Sequence, residues 1–126
     1  GLVHTMPLYI TVFLFFTMAN IGLPGTGSFV GEFLILAGSF KSNTTITFLG
    51  ATGMIIGGCY SLWLFNRIAY GNLKTQYFNN YLDLTKREIL IFFPLLLGTL
   101  VMGVYPSIFL NSIHFSINLL IELMYF

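Results

Sequence analysis

The sequence predicts an all-α membrane protein with three transmembrane helices, the first discontinuous, and a C-terminal amphipathic helix. Three observations carry that reading. Apolar side chains make up 56% of the 126 residues and charged ones only 7%, far from the balance of a water-soluble domain. The apolar residues fall into long runs around one extended polar stretch, Asn66 to Arg87. The first run also contains a helix-breaking string, Leu23-Pro24-Gly25-Thr26-Gly27-Ser28, and a single charge, Glu32.

That first run, 7–40, would be about 51 Å long as one helix, against a hydrocarbon core of roughly 30 Å. A break or a strong tilt is required. Pro24 lacks a backbone N–H and disfavours helix at Leu23, while Gly22, Gly25 and Gly27 accept conformations that other residues resist. The expected result is a half-helix over 8–21, an irregular bend, and a second half-helix over 29–39 with Ser28 as its N-cap. The next run, 46–65, has the length of a single span. It carries Gly53-x-x-x-Gly57, a spacing that lets helix backbones approach closely in lipid, and Tyr60, Trp63 and Arg67 mark an interface anchor at its end.

Residues 89–105 form a third, short span with Pro94 predicting a kink. The tail, 107–126, is apolar but carries Asn111, His114, Asn118 and Glu122 on one helical face. It is expected to lie in the interface or to pack on partners, with a fourth span as the competing reading. Four of the five Lys and Arg residues lie within 66–87, which places that loop on the cytoplasmic or matrix side. No internal repeat suggests a second domain, so 1–126 reads as one membrane segment.

Composition also excludes function classes. A net charge of +1 offers no basic face for nucleic acid. Cys59 is the one cysteine, which rules out an internal disulfide or a cysteine-ligated cluster, and its apolar helical setting favours packing. No strand–Gly-rich–helix unit is present to hold a nicotinamide or flavin.

Glu32 is the candidate functional residue, because a lone acid at bilayer depth costs a few kcal/mol and needs a hydrated cavity or a buried partner. Pro24, Gly25, Thr26, Gly27 and Ser28 form the helix break, and their backbone and hydroxyl groups are candidates for a water path to that acid. The positive end of the second half-helix favours a negative charge there. Lys41 is a candidate exit-side charge. His4 and His114 sit near segment ends and read as interface or packing histidines.

The string from Ala19 to Phe33 resembles the broken late helix of the antiporter-like subunits of proton-pumping NADH:ubiquinone oxidoreductase, respiratory complex I. The likeness continues through Tyr60-Ser61-Leu62-Trp63-Leu64-Phe65-Asn66-Arg67, the Arg87-Glu88 helix entry, and Gly103-Val104-Tyr105-Pro106. Among those subunits the chain is most similar to the type with glutamate at the Glu32 position, where sister subunits and related sodium/proton antiporter subunits carry lysine. The resemblance implies that the chain corresponds to the last three membrane helices and tail of a longer subunit, either as a fragment or as the C-terminal piece of a subunit encoded in parts.

It further implies that Glu32 exchanges protons in a channel coupled to electron transfer, in a mitochondrial inner or bacterial plasma membrane. Flavin, iron–sulfur clusters and quinone would be bound elsewhere in the complex, with no cofactor on this chain. The implied partners are the other membrane subunits, the region carrying the missing N-terminal helices, and the bilayer. The alternatives are a cation/proton antiporter subunit and a structural membrane-assembly segment.

Overall fold

The computed structural model describes residues 1–73 and 82–125, so Lys74 and the middle of the expected 66–87 loop lie outside the described residues, as does Phe126. Five helices follow a short 3-10 turn at Leu2–His4: α1 (Pro7–Ile21), α2 (Gly27–Ser42), α3 (Thr44–Ala69), α4 (Lys86–Val104) and α5 (Ser107–Tyr125). The expected interruption is present, and α1 and α2 are separate helices flanking it. Both α1 and α2 pack on α3, and α4 packs on the outer side of α2.

The helix ends follow local chemistry. Asn43 caps α3 by accepting from the N–H groups of Thr45 (3.0 Å) and Ile46 (3.3 Å), which starts the helix two residues earlier than the apolar run. At the other end α3 runs past the apolar residues to Ala69, because Arg67 folds its guanidinium over the Trp63 ring at 4.8 Å. Helix α4 begins at Lys86, where Glu88 accepts from both the backbone N–H and the hydroxyl of Thr85, each at 2.8 Å. It continues through Pro94 to Val104.

Helix α1 is pinned to α3 by an apolar cluster of Ile10, Phe65 and Ala69. Phe13 stacks between Tyr9 and Phe65, at ring separations of 6.0 and 5.7 Å, and Phe16 reaches Phe92 on α4 at 6.4 Å. In lipid such contacts stabilise by close packing rather than by escape from water.

The tail is helical over Ser107–Tyr125, as expected. Among the described residues, α3, α4 and Ser107–Met124 of the tail are long and apolar enough to cross a membrane, so its length fits the fourth-span reading as well as the interfacial one. The polar stripe costs less than its composition suggests, because Asn118 Nδ2 and His114 Nδ1 pair one turn apart at 3.2 Å. The break explains why α1 falls short: it cuts the first apolar run into pieces of 15 and 16 residues, each about 23 Å long.

A long-range contact closes the other end of the fold. Met6 gives α1 no side-chain cap and Pro7 has no N–H, yet Asp83 accepts from the N–H groups of Leu8 (3.0 Å) and Tyr9 (3.2 Å). A carboxylate from the α3–α4 connection thus neutralises the positive end of α1. Partial desolvation pushes the Asp83 carboxyl up, but the amides of Leu8, Leu84 and Tyr9 together hold it below its ordinary value. Because the native value is lowered, the clamp's contribution is fully present above about pH 4 and is lost as pH falls through the native value. Asp83→Ala is expected to speed amide hydrogen exchange at Leu8 and Tyr9 at neutral pH. Unchanged protection at those two amides would show that the α1 terminus is held by other contacts.

Candidate functional site: a carboxylate seated on a helix break

The break is made of two tight motifs, not an irregular bend. Helix α1 ends with Gly22 in the left-handed region (φ 84°). The Gly22 N–H donates to the Ala19 carbonyl and the Leu23 N–H to the Met18 carbonyl, both at 3.2 Å, which is a Schellman end. Leu23-Pro24-Gly25-Thr26 then makes a β-turn closed by the Thr26 N–H on the Leu23 carbonyl (3.1 Å). Proline at its second position and glycine with φ 97° at its third are the requirements of a type II turn.

Thr26 is buried and precedes α2 as its N-cap residue, but its hydroxyl donates to the Leu23 carbonyl (2.7 Å) and caps nothing in α2. Ser28, expected as the N-cap, lies inside the first turn of α2 and is exposed. The expectation failed because α2 starts at Gly27, two residues earlier than the apolar pattern suggests.

Glu32 is the sixth residue of α2, beyond the first turn where the helix dipole is felt most strongly. Its side chain turns back to the end of α1. A Cβ added to Gly22 would collide with the Glu32 carboxylate, so the carboxyl occupies the space that any other residue at position 22 would fill. Oε2 is buried there without a hydrogen-bond partner. A buried, unpaired carboxylate oxygen is costly unless a donor or cation is brought to it.

Two clefts meet at this carboxyl. One, of about 360 Å³, runs toward the C-terminal half of α3 between Asn20, Tyr60, Ser61 and the glycines 53, 57 and 58. The other, of about 270 Å³, runs toward the α2–α3 turn past Ser39 and Thr47. Gly50 and Met54 line both. The Gly53-x-x-x-Gly57 spacing lies along the first of these clefts. A Cβ at Gly50 or Gly53 would meet nothing within 4 Å, so these positions keep the floor of the groove open.

Residues 24–28 are not among those lining either Glu32 cleft. The polar side chains that share those clefts come from α1, α2 and α3, with Asn20, Ser39, Thr47 and Ser61 the residues that sequence reasoning missed. Lys41 is exposed in the last turn of α2 and lines neither cleft. His4 and His114 are exposed and distant in the fold's order from Glu32. Gly103 lies near the end of α4, where a Cβ would collide with the backbone of Gly25 and Thr26, so α4 lies directly on the turn.

The family described as NADH:quinone oxidoreductase/Mrp antiporter, transmembrane, matches residues 1–57, which include the whole break and Glu32. Over 97% of its length the chain is 52% identical to NADH-ubiquinone oxidoreductase chain 4 of Marchantia polymorpha. It is 53% identical over 98% of its length to chain 4 of Chondrus crispus. It is also 46% identical over 97% to NADH-quinone oxidoreductase subunit M of Rhodobacter capsulatus. The chain belongs to this family. It spans about a quarter of the length of these relatives, 25% of the two chain 4 proteins and 24% of subunit M. Within this family the chain is similar to chain 4 and subunit M along nearly all its residues, including the regions around α4 and α5 that the family description does not cover.

Two substitutions separate backbone strain from the carboxyl contact. Gly22→Ala and Gly25→Ala each force a side chain into positive φ, at a cost of about 1–2 kcal/mol. Only Gly22→Ala also collides with Glu32, since a Cβ at Gly25 meets nothing within 4 Å. Gly22→Ala is expected to be the more destabilising in thermal unfolding, and to alter labelling of Glu32 by an apolar carbodiimide. Equal effects of the two substitutions would remove the Glu32–Gly22 contact from the account.

Proposed function

We propose that the chain forms part of an antiporter-like membrane subunit of respiratory complex I, and that Glu32 is a proton-exchange group in its translocation channel. The observation that carries this reading is the half-buried Glu32 carboxyl at the break, with Oε2 buried and unpaired and a cleft opening on either side. A group so placed takes up a proton from one cleft and releases it to the other, and its charge responds to any cation brought near by neighbouring helices. The similarity to chain 4 and subunit M proteins supports complex I over a free-standing cation/proton antiporter.

In this reading the chain contributes to a proton-translocating enzyme without touching its redox groups. Flavin, iron–sulfur clusters and quinone belong to other parts of the complex. The partners are the other membrane subunits and the region carrying the remaining helices of the same subunit, with lipid around them. The location is the mitochondrial inner membrane, or the plasma membrane in a bacterial setting, with 66–87 on the matrix or cytoplasmic side. Lys41 contributes at most a surface charge near the outlet, and Pro24, Gly25, Thr26, Gly27 and Ser28 act by shaping the turn on which Glu32 rests.

Glu32→Gln keeps the size of the side chain and removes its titration. In membrane vesicles containing the assembled complex it is expected to reduce NADH-driven proton translocation by at least about tenfold, as for loss of a proton-transfer group. Parental pumping by a fully assembled variant would exclude the proton role and leave the structural reading. Sodium-dependent exchange without NADH oxidation would point to the antiporter reading.

A further inference from the structure

The half-groove between Glu32 and the α2–α3 turn ends at two hydroxyls from different helices. Ser39 lies seven residues beyond Glu32 on the same face of α2, and both line the cleft of about 270 Å³. Thr47 faces them from α3 and is buried. Thr47 Oγ1 is hydrogen-bonded to Ser39 Oγ at 3.1 Å, the side-chain contact that joins α2 and α3 at this end.

Each hydroxyl also has a second acceptor on its own helix. Ser39 reaches the Leu36 carbonyl (3.1 Å) and Thr47 the Asn43 carbonyl (2.8 Å). Either can therefore rotate away from the other without leaving a buried donor unsatisfied. Thr11, Thr17, Thr52 and Ser61 make the same local bond, so what sets Ser39 and Thr47 apart is their link across two helices at the end of the Glu32 cleft. With a local acceptor for each, both oxygens can turn between giving and receiving, as a proton relay requires.

We propose that Ser39 and Thr47 form the outlet relay of the Glu32 site, carrying its proton to the exposed turn at 42–44. The proposal rests on the proton role of Glu32 given above. Seven residues of helix separate Glu32 from Ser39 by about 10 Å, a gap that two or three waters bridge. At about 30 Å³ per water the cleft has room for them. A proton released by the Glu32 carboxylic acid passes along that water to Ser39 Oγ. Ser39 gives its own hydrogen to Thr47 Oγ1, and Thr47 gives its hydrogen to water at the turn. Each oxygen accepts one proton and yields one, so both hydroxyls end as they began after turning back, and no other reactant is consumed.

Asn43 and Thr44 beyond Thr47 are exposed, which opens the far end of the relay to solvent. Ile35, Leu36, Ile46 and Met54 wall the cleft and confine the proton to the polar line.

The test uses the assembled complex in membrane vesicles, with NADH oxidation, proton translocation and the amount of complex measured together. Thr47→Val and Ser39→Ala are each expected to slow translocation by roughly tenfold, the loss of one hydrogen-bonded step, and to enlarge its solvent deuterium isotope effect. Thr47→Ser, which restores the hydroxyl without the methyl group, is expected to return both readouts to the parental values. Parental translocation in Thr47→Val and Ser39→Ala, with Glu32→Gln slow, would overturn the relay and leave the Glu32 reading standing. A parental rate in Glu32→Gln would remove both. Equal slowing by Thr47→Val and Thr47→Ser, without an isotope effect, would make Thr47 a packing residue and overturn the proposal. Should Thr47→Val fail to assemble, Ser39→Ala decides, since the Thr47 hydroxyl keeps the Asn43 carbonyl as its acceptor when Ser39 Oγ is removed.

Discussion

The contact between the Glu32 carboxyl and Gly22 exists only because the helix is interrupted between them. In an unbroken helix, ten residues would put their backbones about 15 Å apart along the axis, well beyond the reach of a glutamate side chain. The Schellman end at Gly22 and the turn at Leu23–Thr26 remove that separation and bring α2 back beside the end of α1. Everything else near the acid depends on this return. The turn is itself held in place from outside by α4, whose Gly103 lies against the backbone of Gly25 and Thr26.

This arrangement divides the polar work in a way that lipid imposes. Backbone groups freed by a break must be satisfied, and here the chain satisfies several of them itself: Gly22, Leu23 and Thr26 donate within the two motifs, and the Leu23 carbonyl accepts twice. The turn is therefore a closed piece of structure, and the groups that line the groove with Glu32 are side chains on α1, α2 and α3. Their spacing gives the groove its direction, from Asn20 and Ser61 at one end to Ser39 and Thr47 at the other.

Much of this was legible in the sequence, for identifiable reasons. The break was legible because Pro24 and the adjacent glycines leave few alternatives, and its half-helices came within three residues of the observed ends. Glu32 was legible because a charge among apolar residues stands alone. The partners of that charge were not, since contacts across helices depend on how the turn redirects α2, and no periodicity encodes that angle. Ser39 was within reach, because it shares a helical face with Glu32. Asp83 was not: it caps a helix that begins 76 residues earlier in the chain, and only the packed fold brings the two together. The tail was legible as a helix with a polar face, while the pairing of Asn118 with His114 within that face could not be counted from composition.

The outer ends of the bundle and its middle are built on opposite rules. Near the α3 C-terminus, α1 is fixed by stacked aromatic rings, a buried alanine and the Asp83 clamp. Near the α3 N-terminus, α2 is fixed by the Asn43 cap and the Ser39–Thr47 bond. Between these two anchors α3 presents Gly50 and Gly53, where a methyl group would have touched nothing. Close packing on α3 is thus given up beside Glu32. Had the glycines served to bring the helices of this chain together, an added Cβ would have met a neighbour, as it does at Gly58 against Ile21 (3.4 Å). Their emptiness instead sets aside volume beside a carboxyl that has an unpaired oxygen, and the rigid ends keep that volume from collapsing.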